Sequence, residues 1–262
     1  MQLLLSPACR AVAPAVCLRV GLAATAWFGG ILSSHAKVKG DTLVVSHVYN
    51  GYAREAAAGG GYRPETYAFA EGGLIDGQMA AGDDVSTMGF GPVAATVAGA
   101  LKSQGYLASA DPEKTKLMIM LWYGTTRDTS YRIGGAPIAD KAGLRSRAAR
   151  LLGFQKEYSR AGTLSFTDLG ENFANELYGD RFFVVLKAYD FQVARKEKRL
   201  KLLWESRYSI RRQAVTFSAE LPVMSGFAAR TFGHETNGIF DPSSIEGRVN
   251  LGELEVLGEA KP

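Results

Sequence analysis

The chain has 262 residues, 47% hydrophobic and 10% aromatic, with 30 basic and 26 acidic side chains. This composition excludes a disordered or fibrous polypeptide and suffices for one sizeable apolar core. The formal charge of +4 includes Arg10 and Arg19 of an acid-free leader, and the remainder holds 28 basic against 26 acidic groups, too even a balance to point to a polyanion partner.

The leader is the strongest signal. "MQLLLSPACRAVAPAVCLRV" carries two arginines and no acid, and "VGLAATAWFGGILSS" continues apolar and uncharged. "SHA" then puts Ser34 and Ala36 at the small-residue positions of a signal-peptidase site, before the charged "KVKGD". Residues 1–36 read as a cleaved signal peptide and 37–262 as a single domain, exported to the periplasm or associated with the outer envelope. The minor alternative is an uncleaved amino-terminal membrane anchor, for which the uncharged core is short of the ~20 residues of a span. Lipidation at Cys17 is disfavoured because the main apolar run follows that residue instead of preceding it. Cys9 and Cys17 are the only cysteines, so residues 37–262 offer no disulfide, thiol nucleophile or thiolate metal site.

After the leader, "DTLVVSHV" (41–48) predicts a short strand, and Gly59, Gly60 and Gly61 break the chain. "TYAFAEGG" (66–73) alternates as a half-buried strand ended by its glycines, and a Gly- and Asp-rich loop spans 76–91. "PVAATVAGALKSQGY" (92–106) predicts a helix with Val93, Val97 and Leu101 on one face and Gly105 at its stop. "LMIMLWY" (117–123), bounded by lysines and by Gly124, predicts a strand covered on both faces at the sheet centre.

An insertion, 124–165, follows. It contains a basic helix over 139–154 with Leu144, Ala148, Leu151 and Leu152 inward and Arg145, Arg147 and Arg150 outward. A helix is predicted over 166–179, then strands over 181–194 and 200–211 joined by "RKEKR" as a charged hairpin tip. In the second strand Leu202, Trp204, Ser206, Tyr208 and Ile210 face the core, while Glu205, Arg207, Ser209 and Arg211 form a wet side. A last helix over 217–233 presents Phe217, Leu221, Met224, Ala228 and Phe232, with Pro222 either kinking it or moving its start to about 221, and 246–258 offers a closing strand.

This order predicts an α+β fold: a single mainly antiparallel sheet with helices on one face, plus an irregular and helical insertion. "TYAFAEGG", "ALKSQGY", "DPEKTKLMIMLWYG", "LWESRYSI" and "FAARTFG" resemble the bacterial envelope family called domain of unknown function forty-one thirty-six, over roughly residues 60–235. The resemblance implies an envelope location and this fold, and it carries no catalytic residues.

Catalytic and cofactor patterns are sparse. His47 and His234 are the histidines after the leader, and neither has metal-ligand spacing to another His, Asp, Glu or Cys, so no metal is expected. "AAAGGGYRP" lacks a phosphate-loop ending, and "VMSGF" lacks a nucleophile elbow. No cofactor is expected. Asp83 and Asp84 in "AGDDVSTMGFG" are an alternative acid or metal loop, although adjacent side chains in extended backbone diverge and the plain reading is a helix cap.

Export argues against nucleic acid as the partner of the basic helix. It leaves an anionic envelope component: phospholipid head group, lipopolysaccharide or peptidoglycan. The expectation is a binding or structural envelope protein that uses Arg145, Arg147 and Arg150. The alternatives are a periplasmic hydrolase assembling Asp83 and Asp84 with His47 or His234, and an assembly subunit marked by a broad exposed apolar patch.

Overall fold

The computed structural model describes residues 42–75, 84–126, 141–163, 180–212 and 216–240, all within the unit Val38–Pro262. The expected leader, the helix over 166–179, the closing strand over 246–258 and Asp83 lie outside these residues.

Among the described residues, strands β1 (Leu43–Val48), β2 (Glu65–Ile75), β3 (Tyr106–Ala108), β4 (Leu117–Thr125), β5 (Arg181–Asp190) and β6 (Leu202–Arg211) form one mixed sheet in the order β1-β6-β5-β4-β2-β3. The pairings β1–β6, β6–β5 and β5–β4 are antiparallel, whereas β4–β2 and β2–β3 are parallel. Helices α1 (Val85–Met88), α2 (Phe90–Ser103), α3 (Lys141–Leu152), α4 (Gln155–Thr163), α5 (Phe191–Glu197) and α6 (Phe217–Ala228) complete an α+β fold.

The main core lies between the sheet and helices α1, α2 and α6. Val93, Val97 and Leu101 of α2 meet Phe217, Leu221, Met224 and Ala228 of α6 over Leu117, Ile119, Leu121 and Tyr123 of β4, as the helical and strand periods predict. Trp204 is fully buried here, stacked on Phe232 at 6.0 Å and tilted against Tyr106 at 5.8 Å. Burying one such side chain contributes on the order of 2 kcal/mol or more.

The second face of the sheet carries the insertion. Ala149 and Leu152 of α3, with Phe154, bury against Leu43, Val45, Phe183 and Val185. This corrects the expected wet side of β6: Glu205 and Ser209 are buried, because α3 lies over them. The cover thins over β4, where Trp122 packs at the edge of this cluster and, like Met118 and Met120, is only half-buried, so residues 117–123 are fully buried on one face alone.

Other departures have local causes. β2 does not end at its glycines: a bulge between Glu71 and Gly73 carries it on to Ile75, and the bare Gly72 backbone lies directly under the Trp122 indole. The expected hairpin tip is instead α5, started by the Asp190 carboxylate accepting from the Val193 N–H at 3.0 Å and closed by Lys198 at φ +57°. Helix α6 begins at Phe217 with the exposed Pro222 inside it, because its amino-terminal N–H groups are capped from outside the helix.

Arg54 ties the loop after β1 to the helix ends. Its buried guanidinium lies between the rings of Tyr62, at 4.6 Å, and Tyr106, at 4.2 Å, and its Nε is 4.0 Å from the Glu65 carboxylate. Gly233 closes the same corner at φ +77°, where a Cβ would sit 2.5 Å from the Tyr106 hydroxyl.

Candidate functional site

β1 and β6 on one side and the α3–α4 pair on the other enclose a cleft of about 550 Å³. The wall forms because α3 ends in a left-handed glycine: Gly153 has φ +85°, and the Phe154 N–H donates to the Ala149 carbonyl at 2.7 Å, the bond that closes such a helix end. Arg207 of β6 fastens this wall to the sheet, donating from Nη1 to the Arg150 and Leu151 carbonyls at 2.8 and 2.7 Å. A cation on those carbonyls also complements the helix dipole.

The floor is an ion triad set by sheet register. Lys187 of β5 stands directly opposite Glu205 of β6, and Arg207 follows two residues later on the same face. The Glu205 carboxylate accepts from Lys187 Nζ at 3.1 Å and Arg207 Nε at 2.5 Å. Burial pushes the Glu205 carboxyl up, but these two cations outweigh it and hold it below the usual range. At the cleft edge His47 Nδ1 and a Glu235 oxygen are 2.6 Å apart, and the other Glu235 oxygen accepts from the Val48 N–H at 3.0 Å. Burial likewise raises the Glu235 carboxyl, and the Val48 N–H and His47 bring it below its ordinary value.

The remaining charges of the lining are Arg150 at the end of α3 and Lys156, Glu157 and Arg160 on α4. Arg150, Lys156 and Arg160 are exposed, and their side chains have no carboxylate partner among the described residues. The lining therefore holds five Lys or Arg side chains against Glu157, Glu205 and Glu235. Its net charge is positive, and Arg150, Lys156 and Arg160 carry the exposed part of it.

Of the residues singled out in the sequence, Arg150 lines this cleft, Arg147 is exposed outside its lining and Arg145 is half-buried on the same helix. Asp84 does something else: its two oxygens accept from the Phe217 N–H at 2.8 Å and the Ser218 N–H at 2.9 Å, capping α6. Burial raises its carboxyl, but the bonds from Ser218 and Phe217 dominate and lower it. His234 packs on Tyr62 with ring centroids 4.9 Å apart. Asp84, His47 and His234 thus have three different partner sets, and no hydrogen bond among the described residues joins them into an acid–base pair.

Sequence reading points to the basic run that includes Lys156 and Arg160 but misses Lys187 and Glu205 as site residues. The alternation of β6 is their only local signal, and the pairing register that brings them together is not local. Among the described residues no group of three or more His, Cys, Asp or Glu could hold a metal ion, and no helix is long and apolar enough to cross a membrane.

No protein-family model and no curated protein matches the chain. Three solved structures share 74% of it: a PDZ domain protein from Parabacteroides distasonis at 10% identity and TM-score 0.34, a PelC dodecamer from Paraburkholderia phytofirmans at 8% and 0.32, and a DUF4136 family protein from Bacteroides thetaiotaomicron at 12% and 0.33. The chain spans 36% of the first of these and 99% and 98% of the others. At such TM-scores they do not define its activity.

Proposed function

We propose that this chain is an exported bacterial envelope protein that acts by binding an anionic envelope component. Support comes from the leader, from the cysteine-free sequence after residue 36 and from the resemblance of its strand and helix motifs to family forty-one thirty-six. The observation that carries the binding part is the cationic rim. Arg150, Lys156 and Arg160 stand around a concave site without a carboxylate paired to them among the described residues, whereas the deeper Lys187 and Arg207 share the Glu205 carboxylate. Cations that line a cleft focus their field on an incoming anion.

Arg147, exposed on α3, extends the same positive surface outside the cleft. Phosphatidylglycerol vesicles and isolated cell-wall sacculi are the probes. The wild-type protein co-sediments with one of them at low salt, and a variant with Arg147, Arg150, Lys156 and Arg160 all changed to serine does not. Equal sedimentation of the two proteins rejects the binding role. Mass spectrometry of the mature amino terminus tests the location, with Lys37 expected as the first residue.

A further inference from the structure

We infer that the cleft is a discrete pocket for an anionic saccharide, a sugar unit bearing phosphate or carboxylate, with Tyr49 as the stacking platform. This rests on the reading of the rim as an anion site and adds the chemistry of the ligand. The volume of about 550 Å³ falls within the ~300–1,000 Å³ of small-molecule sites and exceeds what an inorganic anion needs. Charged and polar side chains outnumber Val45, Leu202 and Tyr49 in the lining, so the ligand must carry polar groups as well as an apolar face.

Tyr49 offers a flat apolar face. It lines the cleft with 37% of its surface exposed, and its ring is held edge-on to His47 at 6.5 Å. His47 is itself fixed by Glu235, so the platform is backed by an ordered pair. A flat aromatic face in a lining that also carries exposed cations suits a molecule with a C–H face and an anionic substituent. Arg160, Lys156 and Arg150 take the anion, Arg150 and Arg160 as bidentate donors. Glu157, the acid of the lining that pairs with no cation among the described residues, is placed to accept sugar hydroxyls.

Calorimetric titration of the purified protein with glucose 6-phosphate, glucuronate, glucose and inorganic phosphate tests this. Glucose 6-phosphate or glucuronate should saturate, with inorganic phosphate and glucose each weaker by about tenfold or more. Tyr49→Ser should erase most of the advantage over phosphate, whereas Lys156→Ser with Arg160→Ser should weaken every anion. Added salt should weaken anion binding to the wild-type protein, which checks the charge contribution without a variant. Equal affinity for glucose overturns the anion requirement, and equal affinity for phosphate overturns the sugar requirement. No saturation by either anionic sugar overturns the inference while vesicle or sacculus binding stands on its own. Loss of that binding with saccharide titration intact rejects the envelope reading instead. Lipopolysaccharide added as a competitor separates a lipid-linked source from a free sugar phosphate.

Discussion

Asp84 and Ser218 lie 134 positions apart and are joined by a 2.9 Å hydrogen bond from the Ser218 N–H to the Asp84 carboxylate. The same carboxylate takes the Phe217 N–H, while the Thr216 hydroxyl oxygen accepts from the Ala219 N–H at 3.4 Å. Three orphan donors at the start of α6 are thereby satisfied, which is why a helix containing Pro222 begins ahead of its proline.

Asp84→Ala is expected to cost about 1 kcal/mol, as lost helix caps do. Because the folded pKa lies below the ordinary 3.8, the contribution is present above that value and fades as the pH falls through the folded pKa. Urea melts of the two proteins should therefore differ at neutral pH and approach each other in acid. Anion binding should be unchanged in the variant, and a loss of it would return Asp84 to the list of site residues.

Gly233→Ala should destabilise by roughly 1–3 kcal/mol from the left-handed backbone alone, and the 2.5 Å approach to the Tyr106 hydroxyl adds to it. Thermal unfolding checks this. An unchanged melting temperature would mean that the Arg54 corner relaxes freely.

Glu205→Gln separates stability from binding. It leaves Lys187 and Arg207 over the sheet without their counter-charge, which should cost about 3 kcal/mol. The folded fraction should nevertheless bind anions more tightly, since the floor of the cleft becomes more cationic. Parallel melts and titrations are the readout, and weaker anion binding by folded protein would contradict the electrostatic account.

His234 imposes a mild acid sensitivity. Burial first, and then the charge of Arg54, lower its pKa from the ordinary 6.5. On acidification the unfolded chain takes up the proton first, so stability is full above 6.5 and declines below it until the folded group also titrates. His234→Phe retains a ring against Tyr62 and should remove this slope, as measured by denaturant midpoints between about pH 7 and pH 5. Identical slopes would exclude His234 as the titrating group.

Much of the scaffold was legible locally. Val93, Val97 and Leu101, and Phe217, Leu221 and Met224, repeat at helical spacing, and each set is buried where that spacing put it. The site was less legible for reasons of distance. Glu205 and Arg207 look like solvent-facing residues of a half-wet strand until α3, more than 50 positions earlier, is laid over them. Lys187 becomes their neighbour only through the β5–β6 register. Asp84 carries the residue type of an acid catalyst and sits where a helix cap would, but the helix its carboxylate caps is not the one that follows it. The conspicuous charges of "RKEKR" make that segment look like a hairpin tip, whereas the decisive residue is Asp190 just upstream, which starts a helix.

Gly153 gives the cleft its dimensions. A Cβ at that corner would come within 3.1 Å of the Arg207 side chain and 3.3 Å of Val45. The α3–α4 elbow therefore rests on the strands with less room than a side chain ordinarily needs. Replacing that hydrogen with a methyl group would lift the elbow and widen the mouth. A chain with alanine at this corner should thus accept a bulkier guest and grip a small one less well, so that guest size is governed by a residue that contributes no side-chain contact.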